Sequence, residues 1–264
     1  MLKIYPADAN LIVGLFDLHV TPPSSDATLD GAPQLEILEA GTGHGSLTLH
    51  LSRAIHAANT KPPALPVAQG GTTLDETGHV RDEQQPDPAT ALDAWRAARK
   101  AVIHTIDVSE KYSKHATKVV QGFRHGMYAS NVDFHVGDVS DWVKAELSRR
   151  NSDAPFLTHA FLDLPSTHTH LSTVASALRT DGTLIVFNPS ITQIAECMQK
   201  IKQTGLPLYL DQALELGTNG TSGGRDWVCT LRITTDLRRS QTNVRTTLGY
   251  PRRQATSFTE ESRA

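Results

Sequence analysis

Chemistry in this sequence gathers where apolar runs end in glycines and acids. The densest place is Glu39-Ala-Gly41-Thr-Gly43-His-Gly45. Glycines between a strand and a helix let backbone approach a ligand closely and take up positive φ. Dinucleotide sites use G-x-G-x-x-G, with the pyrophosphate on the helix N-terminus. Here the third glycine comes one position early and an acid precedes the first. Such spacing suits S-adenosylmethionine better: backbone amides would face its carboxylate, and the acid its ammonium. A glycine-rich turn alone is also what any tight left-handed turn requires.

Three more acids stand at the ends of apolar runs. Asp107 closes AVIHTID, where a carboxylate can accept both ribose hydroxyls. Asp138 closes VDFHVGD, where it can meet an adenine amino group. Asp163 closes LTHAFLD and would point at the reacting atoms. Taken singly, each acid serves equally well as a helix N-cap. Glu39, Asp107, Asp138 and Asp163 in order on successive strands are harder to explain as caps, because open α/β sheets bind ligands at the carboxyl ends of their strands.

Other reactive types carry less. His44 lies inside the glycine loop and is expected to face solvent. His168 and His170 flank the Asp163 segment and could meet RNA, and His159 lies in the preceding strand. No metal-ligand set is complete among them. Trp95 and Trp142 read as packing residues, and Cys197 as a buried, inert thiol on a helix.

Positioning these groups takes strands alternating with helices. The spacing predicts a helix over 10–19, a strand over 34–38, a helix over 46–58 and a short helix over 91–100. It then predicts a strand over 101–107, a helix over 111–125, a strand over 132–136 and a helix over 141–149. A strand over 157–162, a helix over 170–178, a turn at Asp181-Gly182, a strand over 183–187 and a helix over 191–204 follow. Two closing strands over 206–215 and 226–233 are joined by a Gly/Ser/Thr run, 217–224. Alternation of this kind means an α/β fold with a mainly parallel sheet. The stretch 59–90, with KPPALP, GGTT and DEQQPDP, reads as a flexible insertion. The domain is expected to span 1–235. A basic, disordered tail is expected at 236–264, in keeping with the arginines that accumulate from Arg225 onward.

Bulk composition is permissive. The 264 residues are 39% hydrophobic, enough for a core, and carry a formal net charge of -3, which does not advertise nucleic-acid binding by itself. The two cysteines, Cys197 and Cys229, form no CxxC or His/Cys cluster, so neither a zinc site nor a disulfide framework is suggested. No apolar run approaches the roughly 18 residues of a membrane span, so no membrane partner is expected. The opening residues do not resemble a secretory signal.

The ordered elements YPADANLIVGLFDLH, ILEAGTGHGSLTLHLSRAI, HTID, VGDV, HAFLDLPS, GTLIVFNPSITQI and RDWVCTLRI are together specific. Over about Met1 to Ile233 they resemble the catalytic-subunit domain of the tRNA adenine-58 N1-methyltransferases. That resemblance implies a Rossmann-like class I methyltransferase with a seven-stranded sheet and helices on both faces. It implies S-adenosylmethionine as cofactor, tRNA as partner, and adenine N1 as the methylated atom. Carried over by position, it implies cofactor binding by Tyr5, Glu39, Gly41, Gly43, Gly45, Ser46, Leu47, Asp107, Asp138, Val139 and Asp163. Asp163 would also be catalytic, and Arg225 and Trp227 would lie near the substrate. A heterotetramer with a non-catalytic sister subunit, or a homo-oligomer, and a nuclear or mitochondrial location are implied too. Alternatives to tRNA catalysis are a methyltransferase for mitochondrial RNA, a methyltransferase-like binding subunit, and a methyltransferase for protein or small molecules. The sequence departs from the family at Ala7, where lysine is usual, and at Ser166-Thr-His168, where proline-tryptophan often stands. The family's N-terminal β-barrel has no counterpart in this sequence, and its closing histidine-threonine-glycine element is degenerate in Arg245-Thr-Thr-Leu-Gly-Tyr250.

Overall fold

The computed structural model describes residues 4–23, 33–63, 88–217 and 225–233. Helix α1 (Pro6–Leu15) carries proline in its first turn, where the missing N–H is no loss and the fixed φ suits the helix. The apolar run from Asn10 therefore sits inside a helix that starts earlier than its periodicity suggests. It ends at Leu15, and Asp17 turns away at φ +52°. Next come β1 (Leu35–Ala40), α2 (Ser46–Ala54), α3 (Pro88–Ala97), β2 (Ala101–Asp107), α4 (Glu110–Gly122) and β3 (Val132–Val136). They are followed by α5 (Val139–Arg149), β4 (Leu157–Leu162), α6 (Leu171–Ala177), β5 (Leu178–Asn188), α7 (Ile191–Thr204), β6 (Leu208–Gly217) and β7 (Arg225–Ile233).

The strands form one seven-stranded sheet in the order β3-β2-β1-β4-β5-β7-β6. β1 to β5 are mutually parallel along that order, β7 runs antiparallel to β5, and β6 antiparallel to β7. Chain order reverses between β1 and β4, so the crevice beyond their carboxyl ends is the place where such sheets hold ligands. Alternation in the strands feeds two cores. Ile37, Ile103, Phe161 and Ile185 pack with α1, α2 and α4 on one face. Leu38, Ala160, Leu162 and Val186 pack with α5, α6 and α7 on the other.

Two local departures have clear causes. The predicted turn at Asp181-Gly182 lies inside β5, which starts at Leu178 rather than Thr183. Pairing with β4 slips between Leu157↔Leu178 and His159↔Thr183, so 179–182 loops out as a bulge, with Asp181 at φ +63°. A Cβ on Gly182 would lie 2.7 Å from the Arg179 carbonyl oxygen. In β1, Glu36 is fully buried. Burial pushes its pKa up, but hydrogen bonds from His104 and Arg150 outweigh that and hold it below the usual range. Arg150 reaches it through both terminal nitrogens, at 2.9 and 2.6 Å.

The start of the expected insertion is tied back to the sheet. Asn59 Oδ1 accepts from the Lys100 and Ala101 amides, and its Nδ2 donates to the Ala101 carbonyl at 2.8 Å. Trp95 Nε1 donates to Thr60 Oγ1 at 3.0 Å, a polar tie where packing was expected. The end of the insertion, 88–90, belongs to α3. Residues 64–87, the run 218–224 and the basic tail lie outside the described residues.

Candidate active site

The glycine turn after β1 depends on left-handed backbone geometry. Gly41 sits at φ +97°, Gly43 at +54° and Gly45 at +80°, a region costly for side-chain-bearing residues. A Cβ on Gly41 would come within 2.4 Å of the Asp163 carbonyl oxygen, and one on Gly45 within 3.0 Å of Ala116. The turn thus brings the ends of β1 and β4 into contact and lets α4 pack beneath. The amides of Gly41 and Thr42 both donate to the Ile106 carbonyl, and that of Gly45 to Thr42. Among the described residues, the amides of Ser46 and Leu47 in the first turn of α2 have no hydrogen-bond acceptor. A helix N-terminus with unused donors favours an anion. The amides of Gly41, Gly43 and Gly45 already have acceptors within the protein, whereas those of Ser46 and Leu47 remain open to an anion.

Three of the four acids converge. Asp107 is buried at the end of β2. Its Oδ2 accepts from the Gly43 amide at 3.1 Å and its Oδ1 from the Ser109 amide at 2.8 Å. Each oxygen keeps a second lone pair for hydroxyl donors. Glu39 is buried and accepts from Thr48 Oγ1 at 2.7 Å. Burial pushes its pKa up to about 7, the hydroxyl bonds pull it down, and the charge of Asp163 pushes it up again. Asp163 follows β4, and its own amide donates to the Ala40 carbonyl at 2.9 Å.

Asp138 behaves differently. Its Oδ1 accepts from the Ser140 and Asp141 amides at 2.7 and 3.2 Å, capping α5. For this acid the helix-cap alternative is realised. The Val139 side chain is buried in the core cluster that α5 shares with α6 and α7.

A cavity of about 370 Å³ opens between these strand ends, lined by Gly41, Asp107, Tyr112, Asp163, Phe187 and Gln193 among others. A small niche beside it, under the glycine turn, is bordered by Ile4, Glu39, Gly43, Ser46, Leu47 and Asp163. Tyr5, expected to line the pocket, is instead 60% exposed, and its neighbour Ile4 takes the place. Tyr5 is the N-cap of α1, and Ile4, the residue before it, borders the niche under the turn. Trp227 is half-buried against the core and lies opposite Asn188 in the sheet. The backbone of Arg225 begins β7, and its side chain lies outside the described residues. His168 pairs with Glu196 at 3.5 Å, and His170 Nδ1 with Ser140 Oγ at 2.8 Å, so both have protein partners. His44 is exposed as expected, and His159 is held down at about 4 by burial at the far end of β4. Cys197 is buried, and burial pushes its thiol up to about 12, as an inert thiol should be.

Sequence reading missed two polar groups at the end of β5. Asn188 is buried and its Nδ2 has no hydrogen-bond partner; Gln193, which lines the cavity, has a buried Oε1 without one. Orphaned buried donors and acceptors are rare in folded proteins and call for an explanation. Both residues lie in the NPSITQ element, but sequence shows no lost partner, only polar residues after an apolar run. Among the described residues no group of three or more His, Cys, Asp or Glu is placed to hold a metal ion, and no helix is long and apolar enough to cross a membrane.

No protein-family model matches the chain. It is similar to the tRNA (adenine(58)-N(1))-methyltransferases of two strains of Thermus thermophilus, with 26% identity over 213 residues, 81% of this chain and 57% of each of theirs. The chain thus spans little more than half the length of these curated relatives. Among solved structures, an S-adenosylmethionine-dependent O-methyltransferase from Thermotoga maritima superposes with a TM-score of 0.53 at 13% identity, over 89% of this chain and 68% of that one. The tRNA (m1A58) methyltransferase of Aquifex aeolicus superposes with a TM-score of 0.50 at 14% identity, over 89% and 72%. The fold is that of a Rossmann-like class I methyltransferase.

Proposed function

We propose that this chain binds S-adenosylmethionine and methylates N1 of adenine in tRNA, with position 58 as the target its relatives indicate. The observation that carries the proposal is the meeting of the glycine turn, Asp107 and Asp163 around one cavity at the switch point of the sheet. The residues fit the cofactor. Asp107 has acceptor capacity left for ribose hydroxyls. The unused amides of Ser46 and Leu47 suit a carboxylate, and buried Glu39 suits an ammonium. Val108, 72% exposed, and Tyr112 give the cavity an apolar flank for a purine ring.

When bound, S-adenosylmethionine supplies a methyl group activated by its sulfonium. The protein's part is to hold the nucleophile in line and to exclude water, which is worth several kcal/mol in general. Methylation at N1 leaves positive charge on the adenine ring. The Asp163 carboxylate, on the cavity wall, opposes that charge and can take a proton from the exocyclic amine. Gln193 Oε1 is a ready acceptor for the same amine, which would end its isolation. Adenine N1 is hidden by base pairing, so the base must leave its stack before it can enter. Assembly with a sister subunit belongs to the same proposal and rests on the resemblance alone.

Calorimetry with S-adenosylmethionine, followed by methyl transfer to unmodified tRNA with and without candidate partner subunits, tests this reading. Binding followed by 1-methyladenosine in the RNA is expected. Cofactor binding with no transfer to any RNA would favour a non-catalytic subunit instead.

A further inference from the structure

A second concavity, of about 690 Å³, lies outside the reaction cavity. It is lined by His44, Glu110, Lys111, Tyr112, Lys114, His115 and Lys118. Its floor is the outer face of α4, where 111, 114, 115 and 118 follow helical spacing and share one side. All three lysines are exposed. Glu110, the one acid, is already matched by Lys114 at 2.8 Å. Lys111 and Lys118 have no carboxylate partner among the described residues, unlike Arg96, Lys144 and Arg149, which pair with acids on their own helices. This groove is therefore net positive in a chain whose formal charge is -3.

The groove also leads somewhere. Tyr112 lines both it and the reaction cavity, and is 37% exposed. His44, from the glycine turn, packs against the Tyr112 ring at 5.8 Å and edge-on to His115 at 5.4 Å. A line of flat rings thus borders the ammonium groups of Lys111 and Lys118, which lack carboxylate partners among the described residues, and ends at the cavity mouth. Single-stranded nucleic acid is gripped by that combination, cations for phosphates and ring faces for bases.

We propose that the outer face of α4 is the track on which the RNA substrate's phosphodiester backbone lies, Lys111 and Lys118 meeting phosphates beside the extruded base. The proposal rests on the RNA-methylating reading of the site and adds where the RNA lies. The test replaces Lys111→Ala and Lys118→Ala together in the full chain, with Lys144→Ala on α5 as a control. Anisotropy with unmodified tRNA is read between about 50 and 200 mM salt. The double variant is expected to lose tenfold or more in RNA affinity, and to lower the salt slope by between one and two. Its S-adenosylmethionine affinity and melting temperature should match the parent's. RNA affinity and slope equal to the parent's would overturn the proposal. Poly-glutamate competing as well as tRNA would assign the groove to acidic protein and overturn it too. A parent that binds S-adenosylmethionine but no RNA would instead bring down the underlying reading, and this inference with it.

Discussion

The Gly43 amide donates to Asp107 Oδ2 at 3.1 Å, fastening the turn after β1 to the end of β2. One carboxylate thus sets the shape of the turn and faces the cavity. Asp107→Ala is expected to lower S-adenosylmethionine affinity at least tenfold, because it removes the hydroxyl acceptor and loosens the turn together. Asp107→Asn keeps one acceptor oxygen and should fall between. Calorimetry on both variants checks the order, and equal affinity in all three proteins would detach Asp107 from the ligand.

Glu39 gives a pH signature of definite sign. Burial raises its folded pKa to about 7, above the ordinary glutamate value of 4.5. The folded protein therefore holds a proton that the unfolded chain has released, and stability must fall as pH rises from about 4.5 to about 7. The loss from this one group is on the order of 3 kcal/mol. A ligand ammonium reverses the preference, since it favours the carboxylate. Affinity for S-adenosylmethionine should therefore rise through neutral pH while stability declines. Glu39→Gln keeps an acceptor for Thr48, and should flatten both profiles. Melting curves and titrations from pH 5 to about 8.5 read the two effects; a variant with the parent's pH dependence in each would reassign the proton.

Asp163 borders both the cavity and the niche. Asp163→Ala should reduce methyl transfer by a factor of about 10² to 10⁴, the usual range for a positioned proton acceptor, and leave cofactor affinity within a few fold. Removing its charge should also let Glu39 ionise at lower pH, because Asp163 is one of the groups raising it. Single-turnover methylation and the pH profile of binding give the two readings. Full turnover by the variant would take Asp163 out of the chemistry.

Much of the fold was legible because the strands are short apolar runs punctuated by glycine or acid: 101–107, 132–136 and 157–162 match the structure to the residue. Helix starts were less legible, since Pro6 reads as a break but serves as a first-turn residue. The site was legible where backbone made it, at Gly41, Gly43 and Gly45, and where an acid ends a strand beside the switch point. At Asp138 the sequence left cap and ligand contact open, because both ask for the same residue type, and the structure shows two α5 amides on Oδ1. Tyr5 is 60% exposed while Ile4 borders the niche, a one-residue phase at a helix start that sequence does not show. The burial of Glu36 could not be read from β1 alone, since its partners His104 and Arg150 lie far along the chain.

Gln193 offers the sharpest separation between stability and recognition. A buried acceptor without a donor costs about 1–3 kcal/mol, and Gln193 Oε1, on the cavity wall, has no donor within the protein. Replacing it with an apolar side chain of similar length removes that cost. Gln193→Leu should therefore raise the melting temperature, by roughly 2–4 °C per kcal/mol recovered in a chain of this size. If the acceptor is there for the target base, the same change should raise KM for tRNA about tenfold and leave cofactor affinity alone. A purely structural glutamine would give the opposite pattern, with a lower melting temperature and an unchanged KM. Differential scanning fluorimetry beside steady-state methylation decides between them on one variant, and a cofactor affinity that fell in step with KM would place Gln193 against S-adenosylmethionine instead of the base.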